Sequence, residues 1–288
     1  IANPVLTHRC LGKSADINSV GHADLVQDKN GKWWAVVLGI RPYKGFNMLG
    51  RETFLTSVEF QNGWPVFNPG KGRVLMKDKA TGLGPYIFDE ESPRDEFIGA
   101  KLGLCWNFLR TPFEKWYELS NGQLIMNLRK ESLAEPVNPS LIARRVDRFV
   151  YAAQTEMTFL PSGKGEEAGM IIMLTPDNHY RLGKEKKANH YRLVLYKTNH
   201  KETEEVGSIV STSEKNVLKI ICSGLTYQFF AGDDDRHLSK IGDDQDATVN
   251  SREKAGGLTF TGPYVGMYAS SNGEDSSAKA IFEYFSYQ

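Results

Sequence analysis

The sequence predicts an almost entirely β-sheet protein, and two observations lead to that prediction. Short runs of alternating or aromatic-rich residues recur along the chain, separated by Gly, Pro, Asn and Asp. Apolar stretches that combine helical spacing with recognisable caps are hard to find. Many short strands between turn signals are typical of an all-β fold.

Composition narrows the classes of partner. The chain has 288 residues, with 35 Lys and Arg against 35 Asp and Glu, so its formal net charge is +0. A balanced charge provides no electrostatic footprint for nucleic acid, and no apolar window is long enough for a spanning helix. We therefore expect neither a nucleic-acid nor a membrane partner. Cys10, Cys105 and Cys222 lie far apart without CxxC spacing, which indicates incidental thiols. The sequence assigns no cellular location.

The first part of the chain predicts one antiparallel sheet. Its three strand-like runs cover residues 19–27, 32–41 and 50–60, and Asn30-Gly31 between the first two is a strong hairpin signal. Roughly three strands form a marginal unit, because so few strands cannot bury both faces. Something else must complete this sheet.

The second part predicts a two-sheet sandwich. Residues 61–95 are dense in Gly, Pro and charge, which favours extended connections, and we place a domain boundary near residue 88. From Phe97 onward come roughly a dozen short strands at sandwich spacing. Alternation across 149–159 predicts that one face of that strand is core. Further runs fit the same scheme at 123–129, 190–197, 217–233 and 280–287, the third as two strands around Ser223-Gly224.

His22 is the first candidate functional residue. It lies in "SVGHADLV" (19–26), inside a strand-like apolar run. A lone histidine in a strand is more often structural than functional. Gly21 beside it permits close approach of backbone or ligand, and alternation predicts His22 on the face opposite Gly21 and Ala23.

Arg51 is the second candidate, because it follows Gly50 at another strand start in "NMLGRETF" (47–54). Arginine is suited to bidentate binding of a carboxylate, and a salt bridge with Glu52 or another nearby acid is an equally good interpretation. Asp24 and Glu52 are acids near this site. Neither has the second, suitably spaced carboxylate that hydrolysis of a sugar linkage requires.

Other polar and aromatic residues carry weaker signals. The remaining histidines share no metal-ligand spacing and are predicted to be surface or loop residues: His8, His179, His190, His200 and His237. The acidic stretch 232–246 lacks the ligand pattern of an EF-hand, so a solvated hairpin loop is favoured over a calcium site. Trp33-Trp34 is interpreted most simply as strand packing, with sugar stacking as the alternative.

Several motifs in order carry a resemblance to a known family. "NPVLTHRCLG", "NSVGHADLV", "NGKWWAVVLGIRPY" and "LGRETFLTSVEFQNGWPVFNPGKGRV" resemble the closing segment of the five-bladed β-propeller in glycoside hydrolase family 43. "LCWNFLRTP", "NPSLIARR", "EEAGMIIM" and "FTGPYVGMYASSNG" are similar to that family's C-terminal sandwich. The resemblance implies the last-blade segment and linker of a five-bladed β-propeller over 1–88. It implies a concanavalin A-like, jelly-roll-like two-sheet β-sandwich over 89–288.

The resemblance also implies roles for three residues. His22 matches a histidine at the propeller axis, beneath the sugar and joined through water to a central structural calcium ion. Arg51 matches an arginine that reaches the catalytic acids and the sugar hydroxyls. Tyr264 matches an aromatic of the sandwich that closes the pocket rim, with tyrosine in place of the more usual phenylalanine. No further cofactor is required.

The implied activity is that of an exo-acting, inverting hydrolase that releases xylose or arabinose from plant cell-wall oligosaccharides. The family's base Asp, acid Glu and second Asp lie on earlier blades, so none of the acid/base carboxylates is present and the isolated chain is predicted to be inactive. The implied partners are the oligosaccharide substrate and the missing N-terminal blades, in the same or a second chain. Xylosidase and arabinofuranosidase activity stay undistinguished.

Two alternatives stay open. The sandwich could act alone as a carbohydrate-binding module, for which four aromatic residues are candidate stacking platforms: Trp106, Trp116, Tyr180 and Tyr191. Most of them lie in alternating strands and are more simply interpreted as core. The other alternative is a structural sandwich module without catalysis, in a scaffold that has lost its catalytic blades.

Overall fold

The computed structural model describes residues 3–12, 14–257 and 259–288. The chain divides into two compact units, Ile1–Glu90 and Glu91–Gln288; the sequence had placed the boundary near residue 88. The all-β prediction is confirmed. Among the described residues, helical structure is confined to the short 3-10 helices Arg9–Leu11 and Ala247–Asn250 and to the single turn α1 (Arg252–Ala255). Within the described ranges, no helix has the length and apolarity needed to cross a membrane.

The first unit contains a four-stranded antiparallel sheet in which sequence neighbours pair. Its strands, in sheet order, are β1 (Asn18–Gln27), β2 (Trp33–Ile40), β3 (Glu52–Gln61) and β4 (Trp64–Phe67). The first three match the predicted runs closely, and β4 was wrongly assigned to an extended connection. Asn62 (φ 51°) and Gly63 (φ 81°) form the two-residue turn that pairs β4 with β3. Pro65 is tolerated because β4 is an edge strand.

Only one face of this sheet is well covered. Ala35 and Val37 of β2 share that face with Val58 of β3, and Phe67 and Val74 complete its core. Val36 and Leu55, which pair on the opposite face, remain 37% and 45% exposed. Every residue of β1 from His22 to Gln27 is exposed. The first unit therefore buries one face and leaves the other face and the β1 edge open.

His8 joins two distant segments of the first unit. The Nδ1 atom lies 2.7 Å from the carbonyl oxygen of Ile17, and the backbone N–H of Val74 donates to Nε2 at 3.0 Å. Because Nε2 accepts, the proton is assigned to Nδ1, which donates to Ile17. His8 lies in a loop, as the prediction of a surface or loop residue allows, but it is buried there at 6% exposure.

The second unit contains two antiparallel sheets, as predicted. The strands of the first are β5 (Arg94–Asp95), β7 (Tyr117–Ser120), β8 (Gln123–Asn127), β10 (Val150–Thr158), β15 (Lys215–Ser223), β16 (Thr226–Gly232), β17 (Leu238–Lys240), β18 (Gln245–Asp246) and β20 (Lys279–Tyr287). Its order is β17-β16-β15-β10-β20-β8-β7, with β18 beside β16 and β5 beside β20.

The second sheet has seven strands. They are β6 (Trp106–Phe108), β9 (Ser140–Arg145), β11 (Glu167–Thr175), β12 (Asn178–Lys187), β13 (His190–Asn199), β14 (Glu202–Ser211) and β19 (Tyr264–Ser270). Their order is β14-β13-β12-β11-β19-β9-β6. The predicted alternation in β10 is confirmed by the buried side chains of Tyr151, Ala153, Thr155 and Met157. The predicted pair of strands around Ser223-Gly224 is confirmed as β15 and β16.

Candidate functional site

His22 lies in an irregular stretch of β1. The register pairs Asn18 with Ile40, Gly21 with Leu38 and Asp24 with Val36, so β1 carries one extra residue in each interval. These are β-bulges, and the backbone at Ser19 (φ 52°) and His22 (φ 48°) is left-handed. The predicted simple alternation around His22 is therefore wrong, because the bulges interrupt it. Bulges and left-handed non-glycine residues both recur beside functional sites.

Arg51 lies directly before β3, after a buried turn. Asn47, Met48, Leu49 and Gly50 are all buried, and the N–H of Gly50 donates to Asn47 Oδ1 at 2.9 Å. Gly50 has a φ of 71°, a conformation that glycine adopts without strain. This turn fixes the backbone from which the half-buried Arg51 side chain extends.

The sheet register places His22 and Arg51 at the same end of the first unit. Leu38 of β2 pairs with Gly21 on one side and with Thr53 on the other. His22 follows Gly21 directly, and Arg51 precedes Thr53 by two residues. The start of β1, the end of β2 and the start of β3 thus form one end of the sheet, where both candidate residues lie.

The acids near these two residues have different environments. Both carboxylate oxygens of Glu52 accept from Arg41, at 2.7 and 2.8 Å. Hydrogen bonding to Glu52 raises the pKa of Arg41. Asp24 is exposed on β1. Across the described parts of the chain there is no group of three or more His, Cys, Asp or Glu side chains arranged to bind a metal ion.

Tyr264 belongs to the second unit. It is the first residue of β19 and pairs with Arg145 of β9 and Met173 of β11. Its half-buried ring packs against an apolar cluster that includes Leu141 and Ile171. The pocket-rim role of Tyr264 stays a prediction.

The four candidate stacking aromatics do not form an exposed row. Trp106, Trp116 and Tyr180 are buried, which confirms their interpretation as core. Tyr191 is half-buried, and the ammonium groups of Lys184 and Lys186 lie 5.6 and 5.9 Å from its ring centre. In the first unit, Trp34 Nε1 donates to Asp28 Oδ2 at 3.0 Å, which agrees with strand packing.

The acidic hairpin 232–246 is largely exposed, and its carboxylates accept hydrogen bonds from the hairpin itself and from side chains of neighbouring strands. Asp234 accepts from the backbone N–H groups of Arg236 and His237. Asp244 accepts from Lys240 Nζ at 2.5 Å. These contacts agree with the interpretation as a solvated hairpin loop. His190, His200 and His237 are exposed, as predicted.

A buried polar cluster on the seven-stranded sheet was missed from the sequence. Arg181 Nε donates to Glu167 Oε1 at 3.0 Å, and the hydroxyl of Tyr268 donates to the same oxygen atom. The guanidinium of Arg181 also lies 4.5 Å from the centre of the Tyr196 ring. The charge of Arg181 is thus paired and stacked, a favourable arrangement for a half-buried arginine.

His179 is part of this cluster and is 3% exposed, so the prediction that it is a surface or loop residue is wrong. The Thr198 hydroxyl lies 3.2 Å from His179 Nε2. Burial and, second, the adjacent charge of Arg181 lower the pKa of His179 to about 3. A sequence signal existed: His179 and Arg181 alternate with the apolar residues Tyr180 and Leu182 along β12.

The chain matches two family models. Residues 94–288 match the model described as the beta xylosidase C-terminal concanavalin A-like domain. Residues 2–65 match the model of glycosyl hydrolases family 43.

Curated proteins and solved structures agree with these matches. A non-reducing end α-L-arabinofuranosidase of Bacteroides ovatus is 33% identical over 99% of this chain and 54% of its own length. A xylosidase/arabinosidase of Butyrivibrio fibrisolvens is 32% identical over 98% of this chain and 55% of its own. The crystal structure of a xylan β-1,4-xylosidase from Bacillus halodurans superposes with a TM-score of 0.93, at 27% identity, over 99% of this chain and 56% of that one.

The chain thus spans about half the length of the curated relatives it matches. Its four-stranded meander is the unit from which propeller blades are built, and its two-sheet unit has the concanavalin A-like architecture of the matching domain. The motifs, the architecture and the family models agree, and the chain belongs to glycosyl hydrolase family 43.

Proposed function

We propose that this chain supplies a substrate-holding blade and the C-terminal sandwich of an exo-acting, inverting glycoside hydrolase. The proposed reaction removes terminal xylosyl or arabinofuranosyl units from plant cell-wall oligosaccharides. The named activities of the relatives, arabinofuranosidase and xylosidase, support this substrate class. The observation that carries the proposal is the sheet end at which the bulged His22 and the anchored Arg51 lie together.

The chemistry of these two side chains fits sugar binding rather than proton transfer to the glycosidic bond. Inverting hydrolysis needs an acid and a base carboxyl group about 6.5–9.5 Å apart on opposite sides of the sugar. Asp24 and Glu52 do not match the family's acid or base, and Glu52 is engaged by Arg41. Arg51 offers planar N–H donors that can orient such carboxylates and sugar hydroxyls while favouring ionised carboxylates. We therefore assign Arg51 and His22 to positioning.

Calcium fits beside His22 only through water. Calcium prefers oxygen ligands, whereas an imidazole nitrogen can accept a hydrogen bond from a water on the ion. The described residues supply no cluster of carboxylates for direct coordination. In the proposed enzyme His22 would hold a calcium-bound water, and calcium would supply fixed positive charge beneath the sugar.

The open side of the first unit supports the proposal that further blades pack against it. The unpaired edge of β1 and the exposed side chains of Leu25 and Val26 promote aggregation when they face solvent. A propeller removes such exposure by packing each blade against its neighbours. We propose that the missing N-terminal blades, in the same or a second chain, cover this surface.

The test is Arg51→Ala in the longer protein that contains this chain. We expect hydrolysis of an aryl β-xyloside and an aryl α-L-arabinofuranoside to fall by at least about 100-fold, chiefly in kcat, because Arg51 orients the reacting groups. The matched control is Arg73→Ala, because Arg73 is an exposed arginine of the same unit. This variant should hydrolyse both substrates at the rate of the unsubstituted protein. Near-normal turnover by Arg51→Ala would contradict the role of Arg51.

The same assay addresses the rest of the proposal. The ratio of kcat/KM for the two aryl glycosides separates a xylosidase from an arabinofuranosidase. The 288-residue chain alone should hydrolyse neither substrate, because it lacks the family's acid and base. Hydrolysis by the purified chain, retained in Arg51→Ala, would refute the proposed division of the active site.

A further inference from the structure

A cavity of about 510 Å³ lies on the outer face of the seven-stranded sheet, entirely within the second unit. Its walls include Glu167, His179, Arg181, Thr198, Thr203 and Tyr268. We call it the outer-face cavity. Its volume lies within the range of about 300–1,000 Å³ found for small-molecule sites. None of the residues proposed above for hydrolysis lines it.

The floor of the cavity is rigidly built. Glu167 and Tyr268 are buried and joined by a hydrogen bond, and Arg181 binds the same carboxylate. Gly183, on the neighbouring strand, leaves the space that the Tyr268 hydroxyl and the Glu167 carboxylate occupy; a Cβ at Gly183 would collide with both. Side chains locked in this way pre-organise a binding surface, so a ligand loses less entropy in ordering them.

Donors in the cavity remain available to a ligand. Arg181 uses Nε for Glu167, and its Nη1 lies 3.5 Å from His179 Nε2. Its Nη2 has no protein partner among the residues that the structure describes, so two N–H groups are unused. The hydroxyl groups of Thr198 and Thr203 lie 2.8 Å apart and each retains further hydrogen-bonding capacity.

The charges that line the cavity cancel. Glu167 pairs with Arg181, and Asp177 and Lys201 add one charge of each sign. The imidazole of His179 is neutral near pH 7, because its pKa is lowered to about 3. Leu133, Ala134 and Pro176 add apolar wall. A neutral cavity with hydroxyl groups, a guanidinium edge and apolar walls matches a neutral polyhydroxylated ligand better than an ion.

We propose that the outer-face cavity is a second sugar site that binds a short neutral oligosaccharide of pentose units. The existence of the site is argued from the cavity alone, and the choice of pentoses rests on the proposed function. Such a site would hold a polysaccharide chain apart from the residues that position the scissile sugar. It differs from the aromatic platform considered from the sequence, because hydrogen bonds carry recognition here.

The experiment titrates the complete 288-residue chain with xylotriose and with arabinotriose, followed by calorimetry and by NMR shifts. The blocking variant is Ala134→Trp, since Ala134 is an exposed residue of the cavity wall. The matched control is Ala100→Trp, exposed in the same unit and outside the cavity. We expect saturable binding of at least one pentose trisaccharide, weakened at least about tenfold by Ala134→Trp and unchanged by Ala100→Trp.

A second variant tests recognition rather than access. Arg181→Lys keeps a positive charge for Glu167 but removes the planar set of donors. We expect weaker trisaccharide binding by about tenfold, with a melting temperature that shows the variant is folded. Trigalacturonic acid, an acidic trisaccharide of similar size, should bind more weakly than the pentose probes.

Four results would overturn this inference. They are no binding of either pentose probe by the folded chain, equal binding by Ala134→Trp and the parent, tighter binding of the acidic trisaccharide, and loss of binding in Arg51→Ala alone. The last would place the sugar in the first unit. In the longer protein, Ala134→Trp should leave hydrolysis of small aryl glycosides unchanged, so this inference and the proposed hydrolase fail separately.

Discussion

The two units bury their sheets to different extents. In the second unit, all seven residues of β11 from Glu167 to Met173 are buried, so this strand is covered on both faces. In the first unit, all six residues of β1 from His22 to Gln27 are exposed. The sheet of the second unit buries several polar side chains in hydrogen-bonded pairs, such as Glu167 with Tyr268. The sheet that is open carries the residues proposed to hold substrate.

The difference indicates that the second unit contributes mainly stability, whereas the proposed substrate-holding residues lie in the first unit. Arg181 of the second unit binds the buried Glu167 and Arg192 binds the half-buried Glu185, so their cost of burial is offset locally. His22 and Arg51 of the first unit lie at a sheet end with bulges and positive φ values. The sheet is irregular at the end where the sugar is proposed to bind, and such irregularities are common at functional sites.

The strongest test of this comparison is the same substitution in both sheets. A Cβ at Gly169 of β11 would lie 2.6 Å from Gly183 Cα and would also collide with the Leu182 carbonyl group. Those are backbone atoms of the paired strand and cannot rotate away. We expect Gly169→Ala to lower the free energy of unfolding by about 3 kcal/mol, measured by urea titration with tryptophan fluorescence.

Gly21→Ala is the counterpart in the open sheet. No described atom lies within 4 Å of the added Cβ, so unfolding of the 288-residue chain should change by less than about 0.5 kcal/mol. In the longer protein we expect Gly21→Ala to reduce hydrolysis, because this glycine would adjoin the sugar site. Equal destabilisation by the two substitutions in the isolated chain would contradict the contrast between the sheets.

Much of the fold is readable from the sequence, because alternation and turn residues act locally. Two Asn-Gly turns show the limit. Asn30-Gly31 predicts a hairpin between two long strands, whereas Asn62-Gly63 falls in the stretch 61–95, whose density of Gly, Pro and charge favours an extended connection. Proline argues against a central strand, and only the tertiary structure shows that β4 is an edge strand.

The site was less predictable for a different reason. A bulge forms at His22 because three residues of β1 lie opposite two residues of β2. The eight residues around His22 do not reveal this pairing, because it depends on β2. The burial of His179 likewise depends on residues far along the chain, such as Thr198 of β13 and Tyr268 of β19. Long-range pairing decides both features, so local pattern did not reveal them.

The next prediction concerns the pH dependence of the second unit. The pKa of His179 is about 3 in the folded chain, against about 6.5 when unfolded. Between those values the unfolded chain binds a proton that the folded chain does not, so stability from this group is full above pH 6.5 and falls with decreasing pH. We expect a loss of about 2 kcal/mol between pH 7.5 and pH 5.

His179→Gln should flatten this part of the stability curve, because the glutamine side chain does not titrate. His190→Gln, at an exposed position of the same sheet, is the matched control and should keep the slope. Urea titrations of the three proteins at pH 5, 6 and 7.5 provide the measurement. An unchanged slope in His179→Gln would show that another group controls acid sensitivity.

The smallest changes in the stability of the isolated chain are expected at the exposed edges of the two sheets. Val26 of β1 is 53% exposed and Val210 of β14 is 66% exposed, and each lies on an edge strand. Because both side chains face solvent, Val26→Lys and Val210→Lys should each change unfolding by less than about 0.5 kcal/mol. Val26→Lys should also reduce light scattering by concentrated protein, since a lysine blunts an edge that can pair with another chain.

The longer protein should separate the two variants. If further blades cover β1, as proposed, Val26→Lys buries an unpaired charge there and lowers both the melting temperature and hydrolysis, whereas Val210→Lys leaves both unchanged. The contrast depends on the neighbouring blade alone, because the two substitutions match in chemistry and in exposure. Identical behaviour of the two variants in the longer protein would mean that the β1 edge stays in solvent, and the proposed packing of further blades would be wrong.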